Sequence, residues 1–424
     1  MSRVVVTGLG VLTPLGTGAK ATWEAVVAGR TAIGPLTTFD PVNLHTRQGA
    51  EISDFTPRDY ADRRALKLMT REDRLAVAGA TLAIEDSGLD LEGVEAAQVG
   101  LYLGGQKAMS DIDKLSDALI AARGDDGTAT LRRLTEEGID KIYPLFYVEG
   151  LQAAALFYIS AKYGMKGPNC YFHGTADAGA TAIGRAQRAI QHGEATVAVA
   201  GGFDWACGWW NMSRFDAMGV LSDRNDMGPK AIRPFDRDRT GTLMGEGAAF
   251  MVLESEEHAR ARDARPYAVL AGFGGGHDAG GQLTPDPEGR GLVAALRGAM
   301  RDAGGAVDRI DYVAAHGGGT IKGDVTEAVA LRTVYGAGAG GLACSSVKPA
   351  TGHLVAGAGA LNAAVSVLAI HHGEVPPTLN LDNPDPACDL DFIPHEARQV
   401  PVAASLAIAR GLEGQNVALV FTEV

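Results

Sequence analysis

The residues around Asp177 have the pattern of a sharp strand-to-helix turn that presents one side chain. A short β-rich run, 170–172, breaks at Gly174 into small residues, and the period of an apolar helix follows. Such a turn places its apical side chain at the N-terminus of a helix, where free N–H groups and the helix dipole stabilise an anion. Asp177 occupies the apex here, so the sequence predicts a carboxylate held at an elbow.

Two histidines next to glycines are the other candidates for chemistry. His316 directly follows a predicted strand, 312–315, within the run His-Gly-Gly-Gly-Thr, and His353 closes the run Lys-Pro-Ala-Thr-Gly-His that begins at Lys348. Glycines on either side allow the backbone to approach a substrate closely. One histidine of this kind is weak evidence for a site, and it is the combination with the elbow that carries weight.

The elements that must hold these groups alternate between strands and helices. Apolar β-branched runs predict buried strands at 3–7, 99–103 and 195–202, and helical spacing of apolar residues predicts a long amphipathic helix over 61–89. The Gly8-Leu9-Gly10 run lacks the third glycine of a dinucleotide-binding turn. The pattern favours an α/β protein with buried sheets and does not support a Rossmann cofactor site.

Composition limits the classes of function. The 424 residues are 46% hydrophobic, which is enough for a large packed core, and the net charge of −13 argues against nucleic-acid binding. The four cysteines lie far apart without zinc-site spacing, and the N-terminus lacks the apolar core of a signal peptide or a membrane span. We therefore predict a cytoplasmic protein with no metal and no membrane partner.

Several motifs in this order resemble those of the β-ketoacyl-acyl-carrier-protein synthases. The resemblance spans the chain and implies a thiolase-like α/β fold, with duplicated βαβαβαββ halves at 1–260 and 261–424 in a five-layered αβαβα arrangement. The matching segments are Thr175-Ala176-Asp177-Ala178-Gly179, Arg233-Pro234-Phe235-Asp236-Arg237, Met244-Gly245-Glu246-Gly247, the two histidine motifs and Glu327. For Asp236, Arg237 and Glu246 we favour a buried ion-pair network over direct chemistry.

The same resemblance implies a degenerate active site. The family has a cysteine where this chain has Asp177, and acylation of a carboxylate would give a labile mixed anhydride. His316 and His353 match the imidazoles that stabilise the enolate of a malonyl thioester, with Lys348 in frame beside them. The resemblance implies no cofactor, because the substrates are carried on phosphopantetheinyl acyl carrier protein. It therefore indicates a catalytically inactive subunit.

The C-terminal turn resembles that of chain length factors, which are ketosynthase paralogues of type II polyketide synthases. Leu412 stands at the gate position, within Ala-Arg-Gly-Leu-Glu-Gly-Gln-Asn. This implies a role in polyketide and antibiotic biosynthesis, with an active ketosynthase paralogue and an acyl carrier protein as partners. Two alternatives stay open: a malonyl-carrier-protein decarboxylase that supplies the starter unit, and an inert homodimer.

The resemblance also predicts where a tunnel for the acyl chain ends and where the subunits meet. It implies that the subunits pair through the strand near 195–200. The helical segment after Gly104-Gly105 would close the tunnel, and helical spacing puts three of its candidates on one face. Ordinary packing at a subunit contact explains that face equally well. The candidates are Gln106, Met109 and Asp113 on the face, with Ile112 beside it and Val148 on the facing segment.

Overall fold

The computed structural model describes residues 2–107, 112–281, 283–304 and 310–424, with the side chains of 113 and 114 left aside. The strands are β1 Val4–Thr13, β2 Gly16–Thr17, β3 Gly34–Pro35, β4 Gln48–Gly49, β5 Val99–Gly105, β6 Asn169–His173, β7 Val197–Trp205, β8 Glu246–Ser255, β9 Ala268–His277, β10 Tyr312–Ala314, β11 Ala343–Ser345, β12 Glu374–Val375, β13 Arg398–Gln399, β14 Ala404–Arg410 and β15 Gln415–Thr422. The α-helices are α1 Ala19–Val27, α2 Arg71–Ser87, α3 Asp113–Ala121, α4 Leu131–Arg133, α5 Phe146–Glu149, α6 Ala154–Tyr163, α7 Asp177–Gln191, α8 Trp209–Ala217, α9 Glu256–Ala261, α10 Arg290–Asp302, α11 Ile321–Tyr335, α12 Lys348–Thr351 and α13 Ala358–His372.

The main sheet repeats one strand order twice. Its order is β11-β10-β14-β15-β9-β1-β8-β7-β5-β6, so that each half, read outward from β1 or β9, has two antiparallel pairs followed by two parallel ones. The halves join where β1 pairs antiparallel with β9. This repeat confirms the predicted thiolase-like fold with duplicated halves.

Helices α7 and α13 form the layer between the two halves of the sheet. Their apolar residues belong to one buried cluster with the inward faces of β1, β7, β8, β14 and β15, while α2 and α10 pack on the outer faces. Small residues let this layer pack tightly: a Cβ on Gly179 would lie 2.7 Å from the carbonyl oxygen of Ala356. The glycine- and alanine-rich composition of the elbow helix follows from that close contact.

The central layer also explains the most apolar stretch of the chain. The segment Val355–His372 is long and apolar enough to cross a membrane, but 83% of it is buried inside the protein. It contains α13, whose residues pack on helices and strands on all sides. The segment is therefore a core helix of this fold.

Two predicted elements differ from the structure. The helix predicted over 61–89 begins only at Arg71, because Thr70 caps it: the Thr70 hydroxyl accepts from the N–H of Asp73, whose carboxylate accepts from the N–H of Thr70. The prediction that the subunits pair through the strand near 195–200 is wrong. That strand is β7, and it is already hydrogen-bonded on both sides, to β5 and β8. The edge strand of that half of the sheet is β6.

Candidate active site

The strand-to-helix elbow forms where the sequence predicts it. Strand β6 ends at His173, and α7 begins at Asp177 after the turn of Thr175 and Ala176. The turn lies against the end of β5, where a Cβ on Gly104 would come within 2.3 Å of the backbone of Ala178. Asp177 is therefore held at the helix N-terminus with only 8% of its surface exposed.

The surroundings of the Asp177 carboxyl differ from the expected ones. Its Oδ1 has no hydrogen-bond partner among the described residues, whereas the sequence predicted an anion stabilised by the free N–H groups of the helix N-terminus. Burial raises the pKa of Asp177 to about 6, and Glu413 adds to this, against the N–H groups of Asp177 and Thr175, which lower it. Desolvation thus outweighs the helix N-terminus, because none of the described cationic side chains contributes to lowering the pKa of Asp177.

The loop that carries His316 is fixed by a buried carboxylate. Glu327, fully buried on α11, accepts the N–H of His316 at 2.6 Å and that of Gly317 at 2.8 Å. The ring is fixed separately, since Nδ1 of His316 accepts the backbone N–H of Arg410 at 3.3 Å. A ring nitrogen that accepts a hydrogen bond leaves the proton of a neutral imidazole on the other nitrogen, so Nε2 of His316 is a donor.

His353 is fixed in the same way. Its Nδ1 accepts the N–H of Val355 at 2.9 Å, which again places the proton on Nε2. The two rings are 5.4 Å apart between centroids, at an interplanar angle of 70°. Burial, with the nearby charge of Lys348, holds the pKa of both histidines well below the usual range. Both are therefore neutral donors near pH 7.

Lys348 helps to fix the backbone that carries His316. Its Nζ donates to the carbonyl oxygen of His316, and burial lowers its pKa to about 8. With Glu327 on the N–H of the same residue, both backbone groups of His316 are held by buried side chains. The structure thus brings together His316, His353 and Lys348, as the sequence predicted.

A cavity of about 320 Å³ opens over the two imidazoles. Thr175 and Ala176 of the elbow line it, as do His316, His353 and Leu412. Leu412 donates its N–H to Oγ1 of Thr175 at 2.9 Å, which ties the C-terminal turn to the elbow. Asp177 lies behind this wall and is not among the lining residues. The cavity has the donors of an oxyanion site and a polar elbow beneath it.

Two of the predicted tunnel residues, Gln106 and Asp113, do not lie on one helix. Gln106 follows β5 in an irregular segment, whereas α3 begins at Asp113 with Ile112 just before it. Met109 lies outside the described residues. Val148 is 43% exposed on α5, and none of the described candidates lines the cavity. Their role in limiting an acyl chain stays a prediction, as does the role of Leu412 as a gate.

The ion-pair interpretation of the second motif agrees with the structure except at one residue. Glu246 pairs with Arg71 at 2.6 Å, and Asp236 lies 3.4 Å from Arg233 between their charged atoms. Arg237 is exposed and therefore is not a buried member of this network. These residues stabilise the loops around the cavity and do not line it.

Some supporting residues could not be found from the sequence. Arg410 fixes the His316 ring through its backbone N–H, and such a bond needs no particular side chain. Thr175 belongs to the predicted elbow, but its bond to Leu412 joins segments 237 residues apart, which sequence order does not reveal. No group of three or more metal-ligating side chains occurs within the described ranges.

Curated relatives match the full chain. A protein named 3-oxoacyl-[acyl-carrier-protein] synthase 2 from Coxiella burnetii is 39% identical, covering 100% of this chain and 99% of the relative. The protein of the same name from Synechocystis is 36% identical, with 99% of this chain and 97% of the relative covered.

Solved structures agree on the fold. The ishigamide ketosynthase/chain length factor structure gives a TM-score of 0.88 at 31% identity, covering 100% of this chain and 99% of that one. A type II polyketide synthase acyl carrier protein in complex with its ketosynthase, bound to the hexaketide, gives 0.88 at 27% identity with full coverage of both chains. In that neighbour, a ketosynthase binds an acyl carrier protein.

The interpretation as a chain length factor is wrong on these comparisons. Relatives that are 33% to 39% identical along nearly the whole chain are named as 3-oxoacyl-acyl-carrier-protein synthases. That prediction relied mainly on Asp177 and on the turn that contains Leu412. These positions differ locally from the synthase pattern, whereas the chain as a whole is similar to the synthases. The two alternative interpretations, a decarboxylase that supplies the starter unit and an inert homodimer, are not retained either.

Family models match both halves. The N-terminal domain of β-ketoacyl synthases matches residues 1–259, and the C-terminal domain matches residues 267–382. The first match includes the elbow, and the second includes both histidines. With the duplicated fold and the full-length relatives, these matches show that the chain belongs to the β-ketoacyl synthase family.

Proposed function

We propose that this protein is a β-ketoacyl-synthase-type transferase that acts on thioesters carried by an acyl carrier protein. The observation that carries the proposal is the pair of neutral imidazoles that line the same cavity, each with Nδ1 bonded to backbone, so that Nε2–H is the ring group left to donate. Two such donors suit the carbonyl oxygen of a malonyl-type thioester. They would stabilise the negative charge that develops on this oxygen as the malonyl group loses CO2 and becomes an enolate, the carbon nucleophile of carbon–carbon bond formation.

Neutrality of the histidines is what makes this arrangement useful. An imidazolium would bind the carboxylate of a malonyl group in the ground state, whereas two neutral donors interact most strongly where charge develops later. Burial and Lys348 keep both rings neutral near pH 7. The site is therefore prepared before the substrate arrives, without proton transfer to either ring.

Because residue 177 is an aspartate, the site supports polarisation of the thioester carbonyl but not formation of an acyl-enzyme. A carboxylate at the elbow gives no stable acyl-enzyme, and its oxygen Oδ1 lies behind the cavity wall. We assign the carbonyl-polarising half of the reaction to the described cavity and derive no covalent step at Asp177. The absence of a cofactor and a cytoplasmic location remain predictions from the sequence.

An infrared measurement tests the proposal without requiring turnover. A pantetheine-linked malonyl thioester with ¹³C at the thioester carbonyl would be added to the protein, and its C=O stretch compared with that in water. We expect a shift to lower frequency in the wild type that is lost in His316→Ala/His353→Ala. A stretch that does not change on binding to the wild type would overturn the proposal. Arg237→Ala, on the exposed side of the remote loop, is the matched control and should keep the shift.

We also propose that the edge strand β6 joins a second copy of this chain. Its outer edge bears no strand among the described residues, and the side chains at both its ends are exposed. Large apolar side chains are exposed in the segment before it: Tyr147 at 71%, Leu151 at 59% and Phe157 at 66%. An edge strand can pair with its own copy across a twofold axis, which covers both edges at once. The heterodimer with a cysteine-bearing ketosynthase, predicted from the sequence, is the alternative outcome.

A further inference from the structure

Beneath the backbone of Gly411 lie two buried oxygens that have no hydrogen-bond partner in the described part of the chain. One is Oδ1 of Asp177 at the start of α7, and the other is Oε1 of Gln415 at the start of β15. Each lies 2.5 Å from the point that a Cβ on Gly411 would occupy. The two oxygens therefore cannot be farther apart than twice that distance, and residue 411, a glycine, places no side chain of its own between them. Oγ1 of Thr175, which accepts the N–H of Leu412, lies 3.1 Å from the same point.

Two acceptors without protons between them are an unfavourable pair in a buried site. Leaving a buried polar atom without a hydrogen bond is costly, and two facing oxygens also repel each other. Either of two changes removes the conflict without moving the backbone. The carboxyl of Asp177 can carry a proton and donate it to Oε1, or the amide of Gln415 can turn by 180° and present its N–H to Oδ1.

We propose that Gln415 is the positioning residue of the elbow carboxyl, through a hydrogen bond between its side-chain amide and Asp177 beneath Gly411. The amide accepts from the carboxylic acid and, after its turn, donates to the carboxylate. The pair connects the elbow of the first half to the C-terminal turn of the second, next to the bond between Thr175 and Leu412. This proposal does not depend on which thioester the cavity accepts.

The other charged groups near Asp177 do not replace this partner. Glu413, in the same turn as Gly411, raises the pKa of Asp177 by its charge. His316 and His353 are neutral near pH 7. The guanidinium of Arg410 is bonded instead to Asn416, Thr326 and the carbonyl of Gly323. Gln415 is thus the neighbour that can serve both protonation states of the carboxyl.

The test follows the charge state of Asp177 through stability. For each background, the Tm of the protein and of its Asp177→Asn counterpart would be measured from pH 4 to pH 9. Above the pKa of the unfolded chain, the slope of this difference against pH follows the protonated fraction of Asp177 in the folded protein, and the midpoint at which that slope has fallen by half reports the pKa of Asp177 in the folded protein. In the wild type we expect a midpoint near 6. Gln415→Leu removes the donor to the ionised form, so the midpoint should rise by about one pH unit.

Three further variants keep the test decisive. Gln415→Glu should also raise the midpoint, by adding a second carboxyl, and it replaces Gln415→Leu if that variant does not fold. Glu413→Gln should lower the midpoint, since the charge that it removes raises the pKa. Gln399→Leu, on the exposed strand β13, should leave it unchanged. A midpoint that stays the same in both Gln415 variants while Glu413→Gln shifts it would overturn the proposal.

Discussion

The backbone N–H of Arg410 donates to Nδ1 of His316 at 3.3 Å. This bond joins the last residue of β14 to the loop after β10, and it decides which nitrogen of the neutral imidazole carries the proton. Because the donor is a main-chain group, substitution of the Arg410 side chain leaves the bond available. The chemistry of His316 thus depends on the register of β14 more than on any neighbouring side chain.

Removal of the Nε2 donor of His316 should weaken stabilisation of a thioester enolate. We expect His316→Ala to reduce the rate of malonyl-thioester chemistry by about 10²- to 10³-fold, the usual effect of losing one oxyanion donor. His316→Asn should retain part of the rate, since an amide N–H can replace the imidazole donor. Steady-state rates on malonyl-carrier protein would measure this, and equal rates for wild type and His316→Ala would contradict the role.

The charge state of Asp177 should make stability depend on pH in a defined direction. Its pKa rises from an ordinary 3.8 to about 6 on folding, so between these values the folded protein binds more protons than the unfolded chain. Stability conferred by the neutral acid is present below pH 4 and is lost as pH rises through 6. The free energy of unfolding relative to Asp177→Asn should fall by up to about 3 kcal/mol across that window. Urea titrations of both proteins at pH 4 and pH 7 would measure the change, and a constant difference would refute it.

Loss of the Glu327 carboxylate should loosen the His316 loop. Glu327→Gln removes one of two acceptors that bind buried N–H groups, and an amide nitrogen then faces a donor. We expect a loss of about 1–3 kcal/mol in the free energy of unfolding, as for an unsatisfied buried donor. Thermal or urea unfolding at pH 7 would measure it. Thr333→Val, on the exposed side of the same helix, is the control and should change stability little.

The edge of β6 should govern the oligomeric state. Replacing Phe157 with Lys places a charge on the exposed apolar surface next to this strand, where it would disfavour a subunit contact but not the fold. Light scattering should show a dimer for the wild type and a monomer for Phe157→Lys. A wild type that stays monomeric until a cysteine-bearing ketosynthase is added would contradict the second-copy proposal and support a heterodimer.

Chain order predicted much of the fold, because strands, elbow and histidine loops recur along the sequence in the family's order. The strand before His316 and the helix after Asp177 were placed within a few residues by apolar periodicity alone. The start of α2 was missed, since the cap at Thr70 ends a pattern that periodicity would extend toward residue 61.

The contacts of the site were harder to predict than its members. Sequence order identified His316, His353 and Lys348, but the partners that fix their rings are backbone groups, which leave no residue-type signal. The orientation of β7 inside the sheet also could not be read from its apolar run, because a strand buried by neighbours and a strand buried by another subunit have the same composition.

The narrow junction between β1 and β9 has a consequence for how this protein unfolds. Only three residue pairs join the two halves of the sheet there, yet α7 and α13 bury their small-residue faces against each other and against both halves. A fragment cut at the junction would expose a full apolar helix surface to water. We therefore expect the halves, two repeats of one topology, to unfold as a single cooperative unit, and a chain severed between them to regain structure only when both pieces are present together.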